Sequence, residues 1–179
     1  MNRRPRLIGL TGTNGAGKGV VLEYLKTRGY AGVSLSDVIR EALAEEGVPP
    51  GRDAMIAKGN ELRRRFGADV LARRVLARVS GPTAIDSIRN PAEVACLRRQ
   101  EGFFLLAVDA PPALRFERVQ ARGRDESAAT LEEFRLKENE EKSRSLEAQQ
   151  IDACMALADA VVINDGSFED LYRRLEDIL

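Results

Sequence analysis

Short apolar runs recur along the chain, each followed by a stretch whose apolar positions repeat at helical spacing. Leu7 to Thr11 reads as a first buried strand, and Lys18 to Arg28 as the helix after it, with Val21 and Leu25 on one face. Ala31 to Leu35 predicts a second strand. Ser36 to Glu46 predicts a helix, through the stripe Val38, Ile39, Ala42 and Leu43. Val48-Pro49-Pro50-Gly51 interrupts the pattern, and two helical stretches follow, about Asp53 to Phe66 and Asp69 to Val79. Beyond a Gly81-Pro82 turn, Thr83 to Asp86 reads as a third strand. Asn90 is placed to cap the next helix, with Pro91 at its first position and Glu93 in its first turn. Phe103 to Val108 predicts a fourth strand, Pro111 to Arg122 a helix, and Ala160 to Ile163 the last strand. Ser167 and Asp170 cap a final helix with Phe168, Leu171, Leu175 and Leu179 on its inner face. Apolar strands alternating with helices predict an α/β fold: a five-stranded parallel sheet between two helical layers.

The segment Gly123 to Arg144 breaks the alternation, being charged and poor in apolar residues. Thr130 and Glu133 form a capping-box pattern inside it, so it reads as a helical excursion. The length, 179 residues, suits one compact domain. Basic and acidic side chains balance at 28 each, so no global field draws the chain to nucleic acid or an anionic membrane. There is no histidine, which excludes histidine-based triads and metal sites. Cys96 and Cys154 form no CxxC pair and read as core fillers in a reducing compartment. The apolar stretch Leu7 to Leu10 is too short for a signal peptide or membrane span. A cytoplasmic protein, monomeric or homodimeric, is expected.

The chemistry concentrates at Gly12-Thr13-Asn14-Gly15-Ala16-Gly17-Lys18, which satisfies G-x-x-x-x-G-K between a strand and a helix. Glycines let the backbone curl so that successive N–H groups meet phosphate oxygens, the helix adds its positive end, and Lys18 adds a full charge. The Ser or Thr that usually follows the lysine, and ligates Mg²⁺, is replaced by Gly19, with Val20 next. The metal is then expected to be held by water, by phosphates or by carboxylates elsewhere.

Gly15-Ala16-Gly17-Lys18-Gly19 resembles the P-loop of adenylate kinase and other nucleoside monophosphate kinases, and Ile8 to Gly12 resembles dephospho-coenzyme A kinase. The resemblance runs nearly the whole chain and implies a P-loop NTPase fold. It also implies a helical acceptor-binding region at about 36–79, a short lid at about 123–145, and ATP with Mg²⁺ as donor. Ser34 to Arg40 is similar to the second-strand segment of adenylate kinases, which assigns Arg40 to the acceptor phosphate. By resemblance to dephospho-coenzyme A kinases, Asp37 becomes a candidate catalytic, acceptor-orienting and metal-organising carboxylate. Ile85 to Pro91 resembles the D-x-R-x-P-x-E segment of phage deoxynucleotide kinases, placing Asp86 near the metal and Arg89 near the acceptor phosphate. Gly59, Asn60 and Arg63 look like the stretch bordering the acceptor in those enzymes. Glu117 to Arg122 resembles the helix leading into the lid, which assigns Arg118 to the adenine ring and Arg122 to the phosphates. Asp165 and Gly166 fall in a segment like the late loop beside adenine.

Phosphoryl transfer needs positioning and charge neutralisation, which the arginines of this set supply through their planar forks. Arg124, Lys137 and Lys142 in the charged excursion extend the candidate cations. The expected activity is transfer from ATP to a nucleoside or deoxynucleoside monophosphate, with dephospho-coenzyme A as the alternative acceptor. An ATP-hydrolysing regulator, or a nucleotide-binding module without catalysis, remains open at this point.

Overall fold

The computed structural model describes residues 5–123, 129–140 and 149–179. The sheet consists of β1 (Leu7–Gly12), β2 (Ala31–Ser34), β3 (Thr83–Asp86), β4 (Phe103–Asp109) and β5 (Ala160–Ile163), in the order β2-β3-β1-β4-β5. All four pairings are parallel; Leu7 lies between Thr83 and Phe103, and Gly12 opposite Val108. Every residue of β1 is buried, because it is central in the sheet and covered on both faces. This is the three-layer P-loop kinase-like architecture.

The alternation of side chains about the strands divides the core in two. Ile8, Leu10, Leu106 and Val162 pack under α1 (Lys18–Thr27) and α9 (Phe168–Ile178). Ile85 and Leu105 pack on the other side with α2 (Leu35–Glu45), α3 (Arg52–Phe66), α4 (Val70–Leu76), α5 (Pro91–Leu97) and α8 (Ile151–Ala156). A small third cluster joins Val119 of α6 (Pro112–Ala121) to Phe134 of α7 (Leu131–Glu140). Among the described residues no helix is long and apolar enough to cross a membrane.

Local signals form as the residues predict. Asn90 and Glu93 make a complete capping box with Pro91 inside it, and Ser167 and Asp170 make another. The Glu133 N–H is capped by Thr130 Oγ1 at 3.2 Å, while the Glu133 carboxylate reaches back to the Ala129 N–H at 2.8 Å. Cys96 and Cys154 are free and buried. The expectation for Phe168 needs correction: it is exposed. As the first residue of α9 it overhangs the rim of the cleft instead of the sheet, with Tyr172 stacked 6.4 Å behind it. The helix α8 has no counterpart in the sequence reading.

Candidate active site

The connection from β3 to β4 crosses β1, so the carboxyl ends of β1, β3 and β4 open onto a crevice where ligands bind in such sheets. A cavity of about 820 Å³ lies there. Its lining includes Gly15, Gly17, Lys18 and Gly19 of the loop, Asp86, Arg89 and Arg122, and Ile39, Arg40, Arg52 and Met55.

The loop between β1 and α1 has the shape that the glycine spacing requires. Gly12 has φ of 133°, and a Cβ there would stand 1.9 Å from the Val108 carbonyl oxygen. At Gly17, with φ of 100°, a Cβ would stand 2.3 Å from Asn164 Nδ2. Both positions therefore demand glycine on conformational and steric grounds. The loop's peptide planes are held by side chains from outside it. Asn164 Nδ2 donates to the Ala16 carbonyl at 2.8 Å, and Arg115 Nη1 donates to the Asn14 carbonyl at 3.2 Å. In a trans peptide C=O and N–H point opposite ways. Tying those carbonyls outward therefore aims the N–H groups of Gly17 and Gly15 inward, where an anion would sit. Asn164 falls within the segment that resembles the loop beside adenine, but the sequence assigns neither it nor Arg115 a contact with the P-loop. Nothing local marks them, since their partners lie 148 and 101 residues away.

Lys18 Nζ folds back under the loop and donates to the Gly12 and Thr13 carbonyls at 2.8 and 2.7 Å. Burial, together with the positive charges of Arg89, Arg115 and Arg122 and against the opposing pull of Asp86, lowers its pKa to about 8. The sign follows from linkage. The free protein binds fewer protons than the unfolded chain between about 8 and 10.5. The penalty on folding is thus complete below about 8 and fades as pH rises toward 10.5. A polyphosphate beside Lys18 reverses the shift. At pH 9 a non-hydrolysable ATP analogue should therefore take up close to one proton on binding, and at pH 6.5 none through Lys18. Calorimetry in two buffers of different ionisation enthalpy measures this, and Lys18→Met should abolish the difference.

The other assigned residues divide. Asp86 Oδ1 is buried and has no hydrogen-bond partner among the described residues, so it can accept from a metal-bound water. Asp37 does not join it: 54% exposed, it pairs with Arg40 at 2.5 Å and is not among the residues lining the cleft. Its first-turn position on α2 turns it to solvent. Arg40 lines the cleft. Arg89 does so as well, with Nη1 donating to Gln149 Oε1 at 2.9 Å. Arg63 reaches the cleft wall but is 3% exposed, and its guanidinium binds Glu93. Gly59 serves packing: a Cβ there would stand 3.0 Å from Ile39 Cδ1. Asn60 lies outside the cleft with Oδ1 buried and without a partner among the described residues. Thr13 turns its hydroxyl from the phosphate side to Asp109 at 2.6 Å. Asp165 pairs with Arg174, and a side chain on Gly166 would press on Asp170; neither lines the cleft. Arg118 donates to the Asn164 carbonyl at 3.1 Å, beside the P-loop. Ala16 is buried under the loop and Val20 lines the cleft at the start of α1. Arg124, Lys142 and the side chain of Lys137 lie outside the described residues.

Residues 8–152 match the AAA domain family. A UPF0200 protein of Thermococcus gammatolerans is 32% identical, the match covering 95% of this chain and 92% of the relative. The chain is an AAA-domain protein of the UPF0200 family. Another UPF0200 member, from Methanocaldococcus jannaschii, is also 32% identical, with 97% of this chain and 88% of that one covered. Among solved structures, TT1252 from Thermus thermophilus is similar at a TM-score of 0.61 and 26% identity, covering 98% of this chain and 97% of its own. Shikimate kinase from Bacteroides thetaiotaomicron shares the fold at a TM-score of 0.62 and 16% identity, over 96% of this UPF0200 chain and 97% of its own.

Proposed function

We propose that the chain transfers the γ-phosphoryl group of ATP to a small phosphate-bearing nucleotide, with a nucleoside or deoxynucleoside monophosphate ahead of dephospho-coenzyme A. The observation that carries this is the continuity of the cleft. One cavity joins the phosphate-binding loop to Arg40, Arg52 and Arg89 and to the apolar wall of Ile39, Met55 and Ile56. A site that only hydrolyses ATP has no use for a second, guanidinium-lined compartment facing the first.

In this reading Lys18 leaves the Gly12 and Thr13 carbonyls for the β- and γ-phosphate oxygens, and the inward N–H groups of Gly15 and Gly17 hold the same anion. The acceptor oxygen bonds to the γ-phosphorus, the bridge to the β-phosphate breaks, and ADP leaves. Arg89 and Arg122, close enough for Lys18 to feel their charges, neutralise the migrating group, while Arg40 and Arg89 hold the acceptor's own phosphate. Mg²⁺, when bound, would offset phosphate charge, and the Asp86 oxygen that has no partner among the described residues would suit its water shell in place of the hydroxyl that Gly19 lacks. Helix α7 serves as the described part of the lid expected at about 123–145, excluding water that would otherwise take the phosphoryl group; the rest of that range lies largely outside the described residues.

The test is ADP release from ATP and Mg²⁺ with each ribo- and deoxynucleoside monophosphate and with dephospho-coenzyme A. One acceptor should raise ADP release many-fold over the acceptor-free rate. Arg89→Ala should raise the KM for that acceptor by at least about tenfold, the scale of a lost charge-assisted pair, and leave the KM for ATP within about threefold. ADP release that no acceptor changes would replace this reading with an ATP-hydrolysing regulator. No release at all would replace it with a nucleotide-binding module.

A further inference from the structure

Arg115 is the most heavily engaged charged side chain beside the P-loop, and the phosphoryl-transfer scheme gives it no part. It is 4% exposed, in the first turns of α6. Nε donates to the Ala110 carbonyl at 2.9 Å, which fixes the plane of the guanidinium. Nη1 donates to the Asn14 carbonyl at 3.2 Å. Both terminal nitrogens reach the Glu138 carboxylate on α7, Nη2 to Oε2 at 3.1 Å. The guanidinium carbon also lies 5.5 Å from the Phe134 ring centre, on the same helix. The surrounding contacts follow the same line. A side chain on Gly15 would stand 2.7 Å from the Arg115 carbonyl oxygen and 3.0 Å from Val119, and Val119 packs against Phe134. One turn of α6 thus touches the crown of the P-loop on one side and α7 on the other.

We infer that Arg115 and Glu138 couple the docking of α7 to the shape of the phosphate-binding loop, with Arg115 as a positioning residue that acts through the Asn14–Gly15 peptide. The fork of the guanidinium is what allows this. One nitrogen holds the Asn14 carbonyl outward, which aims the Gly15 N–H at the donor phosphates. The same nitrogen and its neighbour hold α7. Asp109 lies 3.9 Å from Arg115 Nε, and Glu138 adds the closer, bidentate counter-ion, so docked α7 supplies much of the charge that lets Arg115 stay beside a loop that already carries Lys18. Lysine cannot substitute, because it is a point charge without a planar fork. Coupling of this kind is reciprocal: a ligand that orders the loop must favour docked α7 by the same factor by which docked α7 favours the ligand. The inference rests on donor-phosphate binding at the P-loop and not on the identity of the acceptor.

Amide hydrogen exchange on the full chain tests it without turnover, using a non-hydrolysable ATP analogue with Mg²⁺. In the wild type the analogue should slow exchange in residues 12–19 and also in residues 131–140, the latter by about fivefold or more, the lower end of usual coupling strengths. In Arg115→Lys and in Glu138→Gln the analogue should still slow residues 12–19, while the slowing across 131–140 falls below about twofold, under the same range. Both variants should bind the analogue about five- to tenfold more weakly, the loss equal in size to the coupling removed. Glu138→Gln changes one partly exposed oxygen and keeps the chain folded if Arg115→Lys does not. Full slowing of 131–140 in Glu138→Gln, or none in the wild type, overturns the inference. The kinase reading fails separately, in the acceptor panel.

Discussion

Lys18→Ala should lower acceptor-dependent ADP formation by about 10²–10³-fold, the loss expected when one preorganised electrostatic contact to a transferring group is removed. The melting temperature should stay close to that of the wild type. The two expectations have one origin. The ammonium is held under the loop against burial and against the charges of Arg89, Arg115 and Arg122, and its pKa near 8 records that the folded protein holds the charge at a cost. In the free protein it donates to the Gly12 and Thr13 carbonyls, contacts that the proposed reaction has it exchange for phosphate oxygens. Removing the side chain therefore removes both a cost to folding and the cation that the proposed reaction assigns to the β- and γ-phosphates. Initial rates at saturating ATP, with thermal unfolding of the same sample, measure both. Full activity in Lys18→Ala would mean that the loop acts through its backbone alone and that another cation, Arg122 foremost, neutralises the donor. A large fall in melting temperature would mean that the two carbonyl contacts stabilise the fold more than burial of the amine destabilises it.

How far the sequence can be read depends on the range of the interaction that decides each feature. Strands β1, β3 and β4 are covered on both faces, so continuous apolar runs mark them within a residue of their ends. The P-loop and the boxes at Asn90 and Ser167 are set by neighbours in sequence, and local spacing finds them. The same spacing argument, taken further, would have placed Asp37: an aspartate three residues before Arg40 on a helix meets it across one turn. The contacts that shape the site are of another kind. Asn164 holds the loop across 148 residues and Arg115 across 101. Gly59 fits the acceptor stretch of a kinase by motif, yet its contact is with Ile39 on a neighbouring helix. An arginine in sequence announces a charge, and only the fold shows whether it faces a cleft, as Arg40 and Arg89 do, or a buried carboxylate, as Arg63 does. Helix α8, six residues long, has too few turns for its periodicity to show.

Glu93 is where that distinction carries the most free energy. Its carboxylate is 0% exposed. Oε1 accepts from Arg63 Nε and Nη2 at 3.0 and 2.8 Å, and Oε2 accepts from the backbone N–H groups of Arg89 and Asn90 at 2.9 and 3.1 Å. Glu93→Ala should lower stability by about 3–5 kcal/mol, because it leaves a buried guanidinium without its counter-ion and two N–H groups without their acceptor. Against a typical total of about 5–15 kcal/mol this brings the protein near unfolding. The urea midpoint should fall with little change in slope. Arg63→Met with Glu93→Leu removes the charges together and should recover much of the loss, leaving about 1–3 kcal/mol for the backbone donors left without an acceptor. Function should suffer in both variants through Arg89, whose backbone position Glu93 fixes directly: the acceptor KM should rise before the ATP KM does. A loss below about 1 kcal/mol in Glu93→Ala would place the pair among solvated surface bridges. Arg63, already at the cleft wall, would then be available to the acceptor, as the motif alone implies.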